Sequence, residues 1–303
     1  MTWWQALILG VVEGLTEYLP VSSTGHLLVT QELLGIGTGS PEARAAANAY
    51  AICIQAGAIL AVLGLYWRRV RQASVGWLGK VGVGPGDDEG FRIGLVIVAA
   101  FMPAAVVGLL LDDWIEAKLF GMWPIVTAWF VGGVAILATA WYRKRRVAGG
   151  GAGADLSDMT LRMALLIGFI QCLAMWPGTS RSLVTIVGGV LVGLSLAAAV
   201  EFSFLLGVVT LCAATVYKAV LDTTTVVVDG QTVEVLLVRV MLDEYGWVNM
   251  LIGSAAAWAS AVAAVTWMVA YLKKHGMEVF GYYRIAIALV VAVLLLTGVV
   301  AGR

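Results

Sequence analysis

Acidic, hydroxyl and imidazole side chains lie close together near the start of the chain, between Glu13 and His26. Glu13 and Glu17 are four residues apart, so a helix places both carboxylates on one face. Two carboxylates in a low dielectric repel each other unless a cation lies between them. The pattern therefore predicts a site for Mg²⁺ or Ca²⁺, which prefer oxygen ligands. Two alternatives stay open: a structural pair of glutamates bonded to serines and backbone groups, and a proton relay.

A helix start follows Pro20. Ser22, Ser23 or Thr24 can cap this helix, and the N–H groups at a buried helix N-terminus form an anion site. His26 follows Ser23 by three residues, so on a helical turn its imidazole can approach the Ser23 hydroxyl, as a base approaches a nucleophile. The spacing alone is a weak signal, because a structural hydrogen-bonded pair has the same pattern.

Arg181 lies in a second broken apolar stretch, Pro177-Gly-Thr-Ser-Arg-Ser182. A guanidinium matches phosphate oxygens with two parallel hydrogen bonds; the alternative is that Arg181 only neutralises a glutamate. Gln55 and Glu201, in apolar spans of the two halves, are candidates either to support the site or to hydrogen-bond structurally. Paired carboxylates, the Ser/His pair, the arginine and two helix starts together indicate a phosphorylated substrate.

Composition places these residues in a membrane protein. Of the 303 residues, 61% are hydrophobic and only 13% are charged, with a mean hydropathy of +0.92, whereas about a quarter of a soluble domain is charged.

A net charge of zero argues against nucleic acid as a partner. The cysteines have spacings that fit neither a zinc site nor a disulfide framework. Without a basic region before it, the first apolar stretch is not expected to be a signal peptide.

The predicted elements form a single integral membrane domain, 1–303, with two halves, 1–146 and 159–303, and a Gly/Ala linker at 147–158. Each half has one broken apolar segment followed by three spans. This is an all-α polytopic membrane protein with six transmembrane helices plus two re-entrant helical hairpins. The broken segments are 3–34 and 160–194; the spans are 49–67, 92–111, 123–142, 197–218, 247–272 and 283–301; the loops are 35–48, 72–91 and 219–246, the last with a hairpin at an Asp-Gly turn.

The two halves look like repeats. Gly10-Val-Val-Glu13-Gly-Leu15 aligns with Gly168-Phe-Ile-Gln171-Cys-Leu173, and each stretch is followed by a proline and a serine-containing break. Because three spans per half reverse the chain direction, we predict inverted-topology repeats. The positive-inside rule puts Arg284 and the basic clusters 68–71, 143–146 and 273–274 inside. Both termini and the site are then predicted to face the extracytoplasmic side.

At these residues the chain resembles the undecaprenyl-diphosphate phosphatase family, the integral-membrane enzymes associated with bacitracin resistance. The stretch from Glu13 to His26 matches the family's first motif throughout. Pro177-Gly-Thr-Ser-Arg-Ser182, with Thr185, matches its Pro-Gly-x-Ser-Arg-Ser-x-x-Thr motif. Segments 54–62 and 201–206 are similar as well, so the resemblance runs nearly end to end.

The resemblance implies a plasma-membrane enzyme that hydrolyses undecaprenyl diphosphate to undecaprenyl phosphate and inorganic phosphate. This reaction recycles the lipid carrier for cell-envelope glycan synthesis, including peptidoglycan. The resemblance implies metal or substrate binding by Glu13 and Glu17, and catalysis by Ser23 and His26. The nucleophile stays open between Ser23, His26 and a water. The expected catalytic residues are Glu17, Ser23, His26 and Arg181; the expected diphosphate-binding residues are Ser22, Thr24, Ser180, Ser182 and Thr185.

The chain departs from the family pattern at two positions. The family often has an arginine after the serine that precedes the Glu-Phe-Ser-Phe-Leu-Leu helix, and here that position is Leu196, which predicts one missing phosphate contact. A glycine often follows Ser-Arg-Ser, and here Leu183 predicts different packing of the second hairpin.

The alternative function is a transporter or flippase of polyprenyl phosphate, because carriers use inverted repeats with broken helices. The metal, the preferred lipid length and a homodimer are left open.

Overall fold

In a computed structural model the chain folds into eleven α-helices and one β-hairpin over the described residues, 1–151, 153–221, 223–228 and 231–300. The first half contains α1 (Trp3–Thr16), α2 (Ser23–Leu33), α3 (Pro41–Leu65), α4 (Trp67–Lys80), α5 (Asp88–Leu119) and α6 (Met122–Ala148). The second half contains α7 (Leu161–Gln171), α8 (Arg181–Val192), α9 (Leu196–Val220), β1 (Thr223–Val228), β2 (Gln231–Leu236), α10 (Leu237–Leu272) and α11 (Glu278–Leu296).

Six helices, α3, α5, α6, α9, α10 and α11, are long and apolar enough to cross a bilayer. The helices on either side of the two breaks are shorter: α1 has 14 residues, α7 and α2 have 11 each and α8 has 12. A hydrocarbon core about 30 Å thick needs about 20 helical residues. The predicted helical, multi-pass membrane fold with six spans is therefore confirmed. The β-hairpin is the departure from the predicted all-α class.

Two predicted loops are wrong in their extent. Residues 72–91 contain most of α4, an amphipathic helix that folds back on α5. This helix was not predicted, because its charged face interrupts any long apolar run in the sequence. In the predicted loop 35–48, α3 already begins at Pro41. Ser40 Oγ caps this helix by accepting a hydrogen bond from the Ala43 N–H at 3.1 Å. A serine cap followed by proline is a strong helix start, so the helix begins in polar sequence before the apolar run.

The predicted hairpin is confirmed, with antiparallel strands that pair from Thr223 with Leu236 to Val228 with Gln231. Its Asp-Gly turn lies outside the described residues. The preceding helix, α9, extends to Val220, and α10 begins at Leu237, so the polar loop is shorter than predicted. Gly246, with φ at 77°, interrupts α10 next to the predicted start of the span.

The two halves pack on each other reciprocally. The short helix α1 packs on α10 of the second half, and the short helix α7 packs on α5 of the first half. Both contacts need glycine, because a Cβ at Gly10 would meet the Gly253 carbonyl and a Cβ at Gly168 would meet the Ala100 carbonyl. This packing brings the break after α1 and the break after α7 to the same place inside the bundle, where their side chains meet.

Candidate active site

Glu17, just after the last residue of α1, connects the two broken segments. Its Oε2 accepts a hydrogen bond from Ser23 Oγ at 2.5 Å, and its Oε1 accepts one from Arg181 Nη2 at 2.9 Å. Gln55 Nε2, on α3, donates to Oε2 at 3.4 Å. The Glu17 and Arg181 side chains are only 6% and 9% exposed. The structure thus joins the acid and the hydroxyl of the first broken segment to a cation that lies 164 residues from Glu17 in the sequence.

Both α2 and α8 begin after a serine in the left-handed backbone region. Ser22 has φ 75° and Ser180 has φ 76°. An L-residue in that region costs about 1–2 kcal/mol, so the surrounding packing must hold both turns. The turns reverse the chain sharply and place the N-termini of α2 and α8 beside Glu17, where backbone N–H groups favour an anion.

A cavity of about 110 Å³ lies between the two turns. Of the predicted site residues, Glu17, Ser22, Ser23, Thr24, Ser180 and Arg181 line it, together with Gln55, Ala174, Pro177, Gly178 and Leu211. The cavity therefore holds a carboxylate, a guanidinium and several hydroxyls, which is a suitable set for a phosphate group. We refer to it below as the head-group cavity.

Ser182 and Thr185, both predicted to bind diphosphate, lie behind the wall of the head-group cavity. Ser182 Oγ donates to the Leu19 carbonyl at 2.9 Å. Thr185 Oγ1 donates to the Arg181 carbonyl at 2.8 Å and lies 2.7 Å from Ser203 Oγ. These bonds fix the first turn of α8 against the first broken segment and α9, so both residues position Arg181, and their direct contact with diphosphate stays a prediction.

His26 does not form the predicted pair with Ser23. Its Nδ1 is 2.7 Å from the Ser22 carbonyl oxygen, and its Nε2 is 2.7 Å from the Tyr283 hydroxyl. The ring also stacks on that of Tyr283, with centroids 5.7 Å apart. The reason is that α2 begins at Ser23, so one face of its first turn meets Glu17 while His26 turns towards α11. A catalytic role of His26 stays a prediction.

Glu13 is fully buried, and neither carboxylate oxygen has a hydrogen-bond partner among the described residues. Its carboxyl group lies next to that of Glu17. A buried carboxylate without a donor is costly, so this arrangement fits a cation between the two groups. The described part of the chain contains no group of three or more His, Cys, Asp or Glu side chains arranged to hold a metal ion. Mg²⁺ suits such a site, because it commonly takes one or two carboxylates plus phosphate and water oxygens.

A sequence model of the family described as "Bacitracin resistance protein BacA" matches residues 6–290. The chain belongs to the BacA family. Among its relatives, the undecaprenyl-diphosphatase of Sorangium cellulosum is 42% identical over 292 residues, which cover 96% of this chain and 86% of the relative. The undecaprenyl-diphosphatase of Acidovorax ebreus is 38% identical over 296 residues, which cover 98% and 96% of the two chains. That of Cereibacter sphaeroides is 37% identical over 295 residues, which cover 97% of each.

Leu196, the position at which this BacA family member lacks an arginine, is not among the residues that line the head-group cavity. Leu196 is buried in the hydrophobic core at the start of α9, where Ser195 Oγ caps the helix. Arg181 meets α9 further along, at the Ser203 carbonyl. The predicted loss of a phosphate contact at Leu196 stays a prediction. Leu183 is buried in the same core.

Sequence reasoning missed the role of Arg284, which it counted only as a basic residue on the inner side. Arg284 is fully buried in this BacA family member, and its Nη2 donates to the carbonyls of Ala128 and Gly178 at 2.8 Å each. Its Nη1 donates to the Pro20 carbonyl at 3.4 Å. One side chain from α11 thus holds both turns. The sequence signal that could have revealed this role of Arg284 is its charge inside the last apolar segment.

The structure also distinguishes the roles of Gln55 and Glu201, the two candidates for supporting the site. Gln55 lines the head-group cavity, as a supporting residue would. Glu201 instead accepts a hydrogen bond from Arg69 Nε at 2.8 Å, in an ion pair between α9 and α4. Of the two alternatives for Glu201, the structural one is therefore present.

Proposed function

We propose that this BacA family member hydrolyses undecaprenyl diphosphate to undecaprenyl phosphate and inorganic phosphate. The observation that carries the proposal is the bonding of Glu17 to both Ser23 and Arg181 in one buried cavity. This arrangement gives a hydroxyl nucleophile a proton acceptor and gives phosphate oxygens a cation. The names of the three relatives describe the same reaction. They do not favour the carrier alternative.

Ser23 is the nucleophile in this proposal, because its hydroxyl already donates to Glu17. Ser23 Oγ attacks the terminal phosphorus, and its proton moves to the Glu17 carboxylate. The bond from that phosphorus to the bridging oxygen breaks, and undecaprenyl phosphate leaves. Water then attacks the phosphoserine, Ser23 recovers its proton from Glu17, and inorganic phosphate is released. Rapid-quench mass spectrometry should detect phospho-Ser23; its absence at every time point would favour direct attack by water.

Arg181 stabilises the negative charge that develops on the transferred phosphoryl group. Its Nη1 is anchored on the Ser203 carbonyl at 3.0 Å, while its Nε has no partner among the described residues. The guanidinium can therefore exchange Glu17 for phosphate oxygens without losing its anchor. Phosphoryl transfer depends mainly on such positioning and electrostatic stabilisation, to which the N-termini of α2 and α8 contribute.

Glu13 and Glu17 would hold the divalent cation, Mg²⁺ or Ca²⁺. When bound, the cation neutralises charge on the diphosphate oxygens and orients them. The support is the unpartnered carboxylate of Glu13 beside Glu17. Activity measured after EDTA treatment, and again after each metal is restored, tests this requirement.

We also propose that the two broken segments are re-entrant hairpins in inverted-topology repeats, with both termini and the site on the extracytoplasmic face of the plasma membrane. Support comes from the short helices α1 and α7 and from their reciprocal packing on α10 and α5. In a cysteine-free background, Thr223→Cys should be labelled from outside the cell. Ser74→Cys, on α4, should be labelled only after permeabilisation. The reverse pattern would overturn this topology.

The biological role that follows is recycling of the lipid carrier for cell-envelope glycans, with resistance to bacitracin. Expression in a bacitracin-sensitive strain should raise the tolerated bacitracin concentration, and Glu17→Gln should abolish that effect. A homodimer and the division into two halves around residues 147–158 stay predictions.

The deciding experiment measures phosphate release from undecaprenyl diphosphate by purified protein in detergent with added Mg²⁺ or Ca²⁺. Glu17→Gln and Arg181→Ala should each lose activity, whereas Glu244→Gln and Arg162→Ala, which change exposed residues, should retain it. Wild-type protein that is folded but releases no phosphate with either metal would contradict the proposal. Lipid phosphate movement in sealed vesicles would then test the carrier alternative.

A further inference from the structure

A second cavity, of about 440 Å³, lies beside the head-group cavity between α5 and α9. Its walls are mostly small and apolar, with Phe101, Ala105 and Leu109 on α5 and Ala213 on α9 among them. Leu109 is 68% exposed in the bundle, so this side faces the surrounding lipid. We call this space the α5–α9 cavity. Its size is in the usual range for small-molecule sites, about 300–1,000 Å³.

The α5–α9 cavity adjoins the head-group cavity. Three residues line both spaces: Ala174, Arg181 and Leu211. Arg181 therefore separates an apolar space that faces lipid from a polar space that contains Glu17 and Ser23. An amphiphile with its anionic group at Arg181 would leave its apolar chain in the α5–α9 cavity.

The head-group cavity also borders a third space, of about 290 Å³, which has a different character. Ser23, Thr24 and Gln55 line both of these spaces, and Glu13 also lines the third. Glu13 and the serine nucleophile thus border the third space, whereas the apolar walls border the α5–α9 cavity; Lys218 lines both of these spaces. This asymmetry sets a direction for any bound lipid diphosphate.

Gln171 provides a second, independent observation. It is the last residue of α7, is 2% exposed and lines the α5–α9 cavity. Neither its amide nitrogen nor its amide oxygen has a hydrogen-bond partner within the described ranges. A buried amide normally has partners, so a ligand group at the boundary between the two cavities would satisfy it. Arg181 lines the same space, and this places the ligand's anionic group there.

We propose that the α5–α9 cavity binds the polyprenyl chain next to the diphosphate, and that Gln171 donates a hydrogen bond to the lipid-side phosphate. The terminal phosphate then faces Ser23. This inference rests on the proposed hydrolysis and adds the orientation of the substrate. The lipid reaches the site laterally, between α5 and α9, and undecaprenyl phosphate leaves by the same route, while inorganic phosphate departs on the Glu13 side.

The first test compares a substrate with a chain and one without, undecaprenyl diphosphate and methyl diphosphate. Ala105→Phe narrows the α5–α9 cavity and should raise KM for the undecaprenyl substrate about tenfold, with a change below twofold for methyl diphosphate, which has no chain to place there. Ala138→Phe, on an exposed face of α6, is the matched control and should change neither. Equal losses for both substrates in Ala105→Phe, with an unchanged thermal unfolding midpoint, would overturn the chain site.

Gln171→Leu keeps a similar side-chain size and removes both polar atoms. It should raise KM for both substrates about tenfold and leave kcat within about twofold, because the diphosphate is common to them. An unchanged KM for both would overturn the proposed phosphate contact. A kcat loss without a KM change would assign Gln171 to the chemical step instead.

The second test does not depend on turnover. A farnesyl monophosphate with a diazirine on its first isoprene unit is photolysed with wild-type protein in detergent, and labelled peptides are identified by mass spectrometry. Labels within 101–109 and 210–217 are expected, and excess undecaprenyl phosphate should suppress them. Labels confined to α3 and α10 would overturn the chain site. If these labels appear but no phosphate is released from undecaprenyl diphosphate, the proposed function fails and the lipid-binding site stands.

Discussion

The two broken segments, α1–α2 and α7–α8, share the same kind of turn. Each ends a short helix, turns sharply and starts a second helix after a serine, at Ser22 with φ 75° and ψ 100° and at Ser180 with φ 76° and ψ 116°. Each also packs through a glycine, Gly10 or Gly168, on a long helix of the other half. These two contacts bring the two turns to face each other.

The side chains on these two backbones are different. In the alignment of Gly10 with Gly168, Glu13 corresponds to Gln171 and Ser23 corresponds to Arg181. The first segment thus carries the acid and the nucleophile, and the second carries the cation. Identical segments would have placed like charges together in a low-dielectric site, where they repel. Different side chains at two similar turns give complementary groups instead, and four predictions test this comparison.

The largest effect is expected for Glu17→Gln, which removes the acceptor shared by the two segments. The amide keeps the shape but cannot take the proton of Ser23, and a positioned general base contributes about 10²–10⁴-fold to rate. We expect kcat for phosphate release to fall by that factor, with the exposed Glu244→Gln as control. A fall below tenfold would place the base elsewhere.

Glu13→Gln tests the acidic segment alone. Loss of a group that only supports a metal ligand lowers metal affinity about 10–100-fold, so loss of a ligand should raise the half-activating Mg²⁺ concentration at least about tenfold. The measurement is a Mg²⁺ titration of phosphate release after EDTA treatment. If the titration curve is unchanged while kcat falls, Glu13 acts on the substrate and not on the metal.

Gly207→Ala tests the cationic segment without changing Arg181. A Cβ at Gly207, on α9, would meet the Arg181 guanidinium, whereas a Cβ at Gly64, on α3, would meet nothing within 4 Å. Because small displacements of catalytic groups cost up to about 10²-fold, we expect kcat/KM to fall about 10–100-fold in Gly207→Ala. Gly64→Ala should keep full activity, since alanine also favours a helix. Equal activity of the two variants would mean that Arg181 tolerates a shift.

The smallest effect concerns the two turn serines. Ser180 Oγ accepts a hydrogen bond from the Leu183 N–H at 3.3 Å, whereas Ser22 makes no side-chain cap of this kind. Ser180→Ala should therefore destabilise the protein by about 1 kcal/mol more than Ser22→Ala. Thermal unfolding of both variants in one detergent measures the difference. A larger loss in Ser22→Ala would show that the first turn depends more on its side chain than the second.

Much of the fold could be predicted, because long apolar runs dictate spanning helices. The six spans and the β-hairpin are confirmed. Glu13, Glu17 and Arg181 were recognised as candidates because they are charges inside apolar sequence. The amphipathic helix α4 was missed, since a helix at a polar surface has no long apolar run. Gln55 was recognised as a candidate, and its place in the cavity needed the structure.

The predicted Ser23–His26 pair failed for a geometric reason. Spacing places two residues on neighbouring turns, but it does not say which neighbouring helix each one meets. His26 faces Tyr283 on α11, and Ser23 faces Glu17. Arg284 was misjudged for the same reason, because its partners at Pro20, Ala128 and Gly178 are carbonyls from distant parts of the chain.

The sequence by itself determined the membrane class, the six spans, the two broken segments and the residue types suited to a phosphate group, because each follows from local composition and spacing. The tertiary structure alone decided that Glu17, Ser23 and Arg181 meet, that His26 lies apart, and that Arg284 holds both turns. The physical reason is that these contacts depend on how α1 and α7 cross between the halves. Glycine contacts with α10 and α5, which no local pattern encodes, set that crossing.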